Sequence, residues 1–318
     1  MRFPRRLVLI AALAGCGASP PPKPAAPAGP ASWAELAPAP AEPPPKLAAL
    51  KRFQVVAAKP VPDVDTLEAT LARQGLVADV GDEAEGRVVE LQGVRCSVQP
   101  AARLGDDVLP SPKIEPEYAR HGLTQADAEQ LAASTGTIEI GCRPSNSPAA
   151  AAQVAIQVAD AVAGLTAGLV REPVLARWYP PAAWTALRAE RHFQIGEHVR
   201  VEATGEGPRR ALRTQGLSSF GRLELALYPV PAEEVDGTAA RLLVLADAVL
   251  QDEAPAPGAL VSLGPAKMIY LPPATYDAHA PAGPKPPSVE STVVLADPKG
   301  RPGSQEAVDI LVHRLNAQ

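Results

Sequence analysis

The sequence predicts an α+β fold with a mixed sheet, preceded by a long disordered linker. After residue 50, alternating apolar residues, which indicate strands, interleave with apolar residues three or four positions apart, which indicate helices. Residues 16–49 are instead almost entirely Pro, Ala and Ser with isolated charges. Such a segment buries too little apolar surface to offset the entropy of ordering it, so we expect no packed structure there.

The first sixteen residues form a separate pattern. Arg2, Arg5 and Arg6 precede an apolar run that ends in Leu13-Ala14-Gly15-Cys16. This arrangement resembles the signal peptide and lipobox of bacterial lipoproteins. The resemblance implies that residues 1–15 are removed and that Cys16 carries a diacylglycerol and palmitate-type acyl chains, because one chain alone anchors only marginally. The alternative is a short core helix that happens to end at Cys16.

The same resemblance implies a location. Gly17, rather than Asp, follows the cysteine, which is similar to lipoproteins that are sorted to the outer membrane. We therefore expect a lipid anchor in the outer membrane and a domain that faces the periplasm. No other stretch approaches the roughly 20 apolar residues of a spanning helix.

The linker at 16–49 is predicted to be a semi-rigid spacer. Its prolines favour polyproline II geometry, and at about 3.1 Å per residue it would hold a domain up to roughly 100 Å from the bilayer. Trp33 and Leu36 are its main apolar interruption, and we expect them to make only transient contacts.

Charge limits the partners of this chain. The net charge is -5, and loss of the three arginines of the signal peptide brings the mature chain to -5 - 3 = -8. Such a balance argues against nucleic acid and against a polybasic membrane patch. Besides the membrane that holds the lipid, the partner classes left open are an envelope protein or a cell-wall component. No motif indicates a cofactor.

Cys96 and Cys142 are predicted to form a disulfide. They remain as an even pair after Cys16, and an exported protein meets an oxidising compartment. Each cysteine alternates with apolar residues on a predicted strand, so both thiols point to an apolar face. The alternatives are two inert buried thiols or a metal site, for which further ligands are missing.

The first half of the folded part reads as strand, helix, strand, strand, helix, strand. Caps define the helices: Asp63 begins one that Gly75 ends, Thr124 with Asp127 forms a capping box, and Ser147 precedes Pro148. The strands are expected at 53–58, at 87–98 with a bulge or hairpin at Gln92-Gly93, at 137–142 and at 170–178. This order is that of a ferredoxin-like split unit.

The second half is predicted to be β-rich. Val199, Val201 and Ala203 are expected to face inward, and so are Leu223, Leu225 and Leu227, while Glu224 and Ala226 face outward. A helix capped by Asp236 and a strand at 268–271 follow. The domain is therefore expected to span 50–271, either as one unit or as subdomains 50–178 and 179–271. A Pro-rich loop at 272–288 and a C-terminal strand and helix at 289–318 follow.

Two short motifs carry a second resemblance. Residues 178–184, Trp-Tyr-Pro-Pro-Ala-Ala-Trp, and residues 214–225, which contain Phe220-Gly221 before an acidic-aliphatic strand, look like segments of uncharacterised bacterial α+β domains. The likeness covers about residues 53–271 and implies a fold, but no activity.

Four aromatics are the main candidate for a binding patch. Trp178, Tyr179, Trp184 and Phe193 hold a third of the chain's aromatic residues. They would form either a concave platform for a peptide or glycan, or a core plug between two subdomains, and the plug is favoured.

The other candidates have simpler interpretations. The segment 216–221 lacks the spacing and the following helix of a nucleophile elbow, so we expect a turn there. His192 and His198 have no third metal ligand nearby. Arg209, Arg210 and Arg213 form a small basic patch. Catalytic residues are therefore not identified.

Three function classes remain open. The favoured one is a non-enzymatic envelope lipoprotein that acts as a binding or structural module. The alternatives are an envelope hydrolase whose active site is not visible in the sequence, and an inhibitor or immunity-type protein.

Overall fold

The computed structural model describes residues 32–39, 50–79, 87–91, 93–143, 147–190, 192–251, 256–287 and 291–317. The predicted signal peptide and the lipidation site Cys16 lie outside these residues, as does most of the linker. The described chain forms two sheets with helices packed on them, so the predicted α+β fold is confirmed.

The elements of the first part follow a short helix in the linker. In chain order they are α1 (Trp33–Leu36), β1 (Lys51–Ala57), α2 (Val64–Arg73), β2 (Val77–Asp79), β3 (Arg87–Leu91), β4 (Val94–Ala101), α3 (Glu115–Ala119), α4 (Gln125–Ala132), β5 (Gly136–Arg143), α5 (Pro148–Thr166), β6 (Leu169–Glu172), β7 (Arg177–Tyr179) and α6 (Pro181–Ala189).

Sheet A has seven strands in the order β2-β3-β4-β5-β1-β6-β7, all antiparallel to their neighbours. Its inner strands, β4-β5-β1-β6, have α2 and α5 packed against one face, which is the arrangement of the predicted split unit. The predicted caps are present, since the side chains of Asp63, Thr124 and Ser147 each accept a hydrogen bond from the first turn of their helices. The single strand predicted at 170–178 forms two shorter strands, β6 and β7.

Helix α5 corrects one expectation from the sequence. We expected no stretch beyond the signal peptide to approach the length of a membrane-spanning helix. By length and composition alone, α5 is long and apolar enough to cross a membrane. Most of α5 is buried, because it packs on β1 and β5 with α2 and α6 beside it. Buried core helices can have the same length and apolar composition as membrane-spanning helices.

The second part forms sheet B. Its elements are α7 (Ile195–His198), β8 (Arg200–Thr204), β9 (Arg209–Gln215), a 3₁₀ turn (Leu217–Phe220), β10 (Glu224–Pro231), a 3₁₀ turn (Ala232–Glu234), α8 (Val235–Gln251), β11 (Leu260–Leu263), β12 (Ala266–Leu271), α9 (Pro273–Asp277), β13 (Thr292–Ala296) and α10 (Gln305–Asn316).

Sheet B has the order β11-β12-β13-β10-β9-β8, with β10 and β13 parallel and the other pairs antiparallel. The C-terminal strand and helix were expected as a separate piece, but β13 lies in the middle of the sheet and α10 packs beside α8 on one face. The division between the sheets falls between Ala189 and Arg200, later than the expected division after 178. Asp236 lies within α8, one residue past its start, rather than at its cap.

The outward face of β10 was also predicted wrongly. Glu224 and Ala226 are buried, because this central strand has packed layers on both faces, whereas Ala203 in the edge strand β8 is exposed.

The second face of sheet B is covered by α9 and by residues 33–37 of the linker. Trp33 is 2% exposed and stacks on Tyr276, with ring centroids 4.7 Å apart. The backbone N–H of Trp33 donates to the carbonyl of Gly300, and that of Ala34 donates to the carbonyl of Pro298. The expectation that Trp33 makes only transient contacts is therefore wrong. Trp33 is docked, because sheet B supplies an apolar face on which it is buried.

Candidate functional site

The four candidate aromatics do not form one patch. Tyr179 and Trp184 pack edge-on against Phe53 on the helix-covered face of sheet A, and Trp178 lies in a separate cluster on the opposite face. Phe193 is half-buried and belongs to a third cluster, around sheet B. Trp178, Tyr179 and Trp184 are at most 7% exposed. They are core residues, and the platform interpretation fails because sheet A places alternate residues on opposite faces.

A polar group is buried where the two sheets meet. Lys51, the first residue of β1, forms an ion pair with Glu172 at the end of β6, and both side chains are fully buried. The hydroxyl of Tyr179 donates to the other carboxylate oxygen of Glu172 at 3.0 Å. Burial lowers the pKa of Lys51, and the charge of Glu172 opposes that shift. The Lys51 ammonium also lies 5.3 Å from the ring centroid of Phe220, a residue of the second part.

His198 lies beside this group. Its ring stacks on Phe193, with centroids 5.0 Å apart, and is 3% exposed. Burial, followed by the positive charges of Lys51 and Arg177, lowers the pKa of His198 to about 2. Its Nδ1 atom is buried and has no hydrogen-bond partner within the described chain. This imidazole is therefore neutral at every physiological pH.

His192 does not join His198 in a metal site. His192 is exposed, and the two histidines share only a cavity of about 20 Å³, whose lining includes the carboxylate residues Glu190 and Glu197. Among the described residues, no group of three or more His, Cys, Asp or Glu could hold a metal ion. A cavity of this size has room for about one water molecule.

The segment 216–221 is a turn built around a carboxylate. Glu224 accepts hydrogen bonds from the backbone N–H groups of Gly216 and Ser218, at 3.0 and 2.9 Å, and from the hydroxyl of Thr214. Gly216 has a φ of 120°, and a Cβ there would lie 2.3 Å from the carbonyl oxygen of His198. These contacts account for the glycine at 216, whereas Ser218 contributes only its backbone N–H to them.

The predicted basic patch in β9 is largely neutralised. Arg209 pairs with Asp309 of α10, and Arg213 lies 3.7 Å from a carboxylate oxygen of Glu202. These arginines connect elements of sheet B.

The structure instead shows a polar groove on the open face of sheet A, which we call the arginine groove. It has a volume of about 260 Å³. Its charged lining residues are Arg52 of β1, Arg95 of β4, and Glu139 and Arg143 of β5; the polar lining residues are Gln54, Ser97 and Gln99. The other half of this face is covered by the apolar cluster around Trp178, to which α3 and α4 contribute. The groove is thus the uncovered half of the face.

Strand register brings these side chains together. Arg95 lies directly opposite Arg143, Ser97 lies opposite Gly141, and Gly141 lies opposite Arg52. Gly141 forms part of the floor, since a Cβ there would lie 3.1 Å from Leu50 and 3.2 Å from the Ser97 hydroxyl. Gln54 is held in place because it accepts from Arg171 at 2.7 Å and donates to Glu139 at 3.1 Å.

Sequence reasoning missed this groove, although a signal was present. The groove residues are the positions between the apolar ones on β1, β4 and β5, such as Arg52 and Gln54 around Phe53. Alternating apolar residues predict the buried face of each strand, but they do not show which polar residues share a groove on the other face.

No protein-family model matches the chain, and no curated protein or solved structure matches it either. The likeness to uncharacterised α+β domains therefore stays a prediction. Fold and site define the class: a two-sheet α+β protein with a sealed polar group between its sheets and an open arginine groove on one of them.

Proposed function

We propose that this chain is a bacterial envelope lipoprotein, anchored through Cys16 in the outer membrane, whose domain is a non-enzymatic binding module. The open arginine groove carries this proposal. It offers accessible guanidinium, amide and hydroxyl groups, whereas the groups best suited to acid-base chemistry, Lys51, Glu172 and His198, are sealed from solvent. A hydrolase would need such a group to reach its substrate.

The docked Trp33 supports a short tether. If the chain is anchored at Cys16, only 32 - 16 = 16 residue steps separate the lipid from Ser32, the first described residue next to the docked helix. At a maximum of about 3.6 Å per residue, those steps span at most about 58 Å. This reach is shorter than the roughly 100 Å expected for a free linker, so the domain works close to its membrane.

In-cell photo-crosslinking tests the binding role. A photoreactive amino acid at Gln99, inside the groove, should give a discrete cross-linked product in the envelope. The same residue at Lys267, an exposed position on sheet B, serves as the matched control. Products of equal yield at both positions, or none at Gln99, would contradict the proposal.

A further inference from the structure

The arrangement of charges in the arginine groove indicates what it binds. Three arginines and one carboxylate line it, in a chain whose net charge is -5. Arg95 and Arg143 are directly opposed, and like charges in that position destabilise a sheet. Arg52 and Arg143 are exposed, and neither makes an ion pair within the described residues. An anion bound by Arg52 and Arg143 would supply the counter-charge that these two side chains lack among the described residues.

The guanidinium groups favour a particular kind of anion. Their planar forks match carboxylates and phosphates in bidentate geometry. The volume of the groove, about 260 Å³, is slightly below the usual range for small-molecule sites, roughly 300–1,000 Å³. The groove therefore fits a small ligand that carries one or two anionic groups.

The remaining polar groups distinguish a peptide from a bare phosphate. Glu139 offers a hydrogen-bond acceptor beside the arginines, and Gln99 presents an amide that matches a peptide backbone. Leu50, Val88 and Pro173 add apolar walls for the stems of side chains. Glu139 lowers the positive charge of the groove, and the acidic chain as a whole disfavours an extended anionic membrane surface.

We propose that the arginine groove binds a short acidic peptide segment, with its carboxylates on Arg52 and Arg143 and a backbone N–H donating to Glu139. This proposal rests on the binding role proposed above and names the chemical class of the ligand. The partner is an envelope protein that presents two neighbouring acidic residues in an accessible segment.

Calorimetric titration tests the ligand class. The protein is the full mature chain with Cys16→Ser, and the probe is the peptide Ac-Ala-Glu-Glu-Ala-NH2, compared with its isosteric Gln-Gln analogue. Each charge-assisted hydrogen bond lost should weaken binding about tenfold or more. We expect the Gln-Gln analogue to bind at least about tenfold more weakly, and Arg52→Gln/Arg143→Gln to weaken binding of the Glu-Glu peptide about 100-fold.

Matched controls separate specific binding from general charge. The variant Lys267→Gln/Arg301→Gln removes two exposed positive charges elsewhere and should change the affinity by less than about twofold, since distant exposed charges are largely screened. Equal binding of the two peptides, or equal loss in the control variant, would overturn the proposal. So would binding of phosphatidylglycerol vesicles or inorganic phosphate in place of the Glu-Glu peptide.

The outcome also separates this proposal from the binding role itself. Cross-linking at Gln99 without affinity for the Glu-Glu peptide would overturn the acidic-peptide class and leave the binding role intact. If Gln99 gives no cross-link and the Glu-Glu peptide does not bind, both the binding role and the acidic-peptide class are wrong.

Discussion

Stability at low pH should depend on His198. The unfolded histidine has a pKa of 6.5, whereas burial lowers the folded pKa to about 2. The other groups that shift it, Lys51 and Arg177, are positive and also oppose its protonation. Between these two pKa values, the unfolded chain binds a proton that the folded chain refuses.

The sign and size of the effect follow from proton linkage. Because the unfolded state binds more protons, the free energy of unfolding falls as pH falls from 6.5 toward 2. At pH 4.5 the difference from the unfolded pKa is 6.5 - 4.5 = 2 units, which at about 1.4 kcal/mol per unit costs roughly 3 kcal/mol. Above pH 7, His198 is neutral in both the folded and the unfolded state, so it no longer changes the free energy of unfolding.

Urea unfolding at pH 7.0 and pH 4.5, compared between wild type and His198→Gln, measures this term. Glutamine does not titrate, and the contributions of all carboxylates cancel in the comparison of the two proteins. We expect the variant to lose roughly 3 kcal/mol less than wild type on acidification. If both proteins lose the same free energy, His198 is not held neutral by burial, and the reasoning is wrong.

Three further predictions concern stability. Glu172→Gln should cost about 3–5 kcal/mol in urea unfolding, because Lys51 stays buried without its counter-charge, whereas Lys51→Met/Glu172→Leu should cost far less; equal losses would contradict the pairing. Trp33→Ala should cost about 3 kcal/mol in the same assay, because the ring is buried on sheet B. A change below about 0.5 kcal/mol, which is typical of surface sites, would show that the segment is not docked. Cys96 and Cys142, 46 residues apart and 2.04 Å between sulfurs, should be linked in non-reducing mass spectrometry, and reduction should cost about 4 kcal/mol through loop entropy; two freely alkylated thiols would refute the bridge.

Local signals made the first half of the fold predictable. Caps at Asp63, Thr124 and Ser147 depend on a side chain and a backbone N–H three residues away, so sequence spacing alone identifies them. The split unit followed because each strand of its core has one apolar and one polar face.

The missed features depend on contacts distant in sequence. Strand β9 begins with two arginines and has few apolar residues, and it forms because it pairs with both β8 and β10. Glu224 is buried because the turn at Gly216 supplies donors to its carboxylate. Docking of Trp33 depends on a face of sheet B that is completed only by the C-terminal strand β13.

The arginine groove also depends on contacts between residues distant in sequence. Arg95 and Arg143 are opposed only through the register of β4 on β5, which Cys96 and Cys142 share as the next pair. A predicted disulfide between those cysteines already implied this register. Because Arg95 and Arg143 each lie one residue from a cysteine of this pair, the same register places the two arginines side by side.

The most direct test of the whole account is the mass and membrane partition of the mature chain, made in a Gram-negative host from the full-length gene. We predict a chain that begins at Cys16, carries the mass of its acyl chains, and enters the detergent phase with the outer membrane, whereas Cys16→Ser remains unlipidated and soluble. A wild-type chain that still begins at Met1, or a Cys16→Ser variant that stays in the membrane, would contradict the proposed anchor and the function built on it.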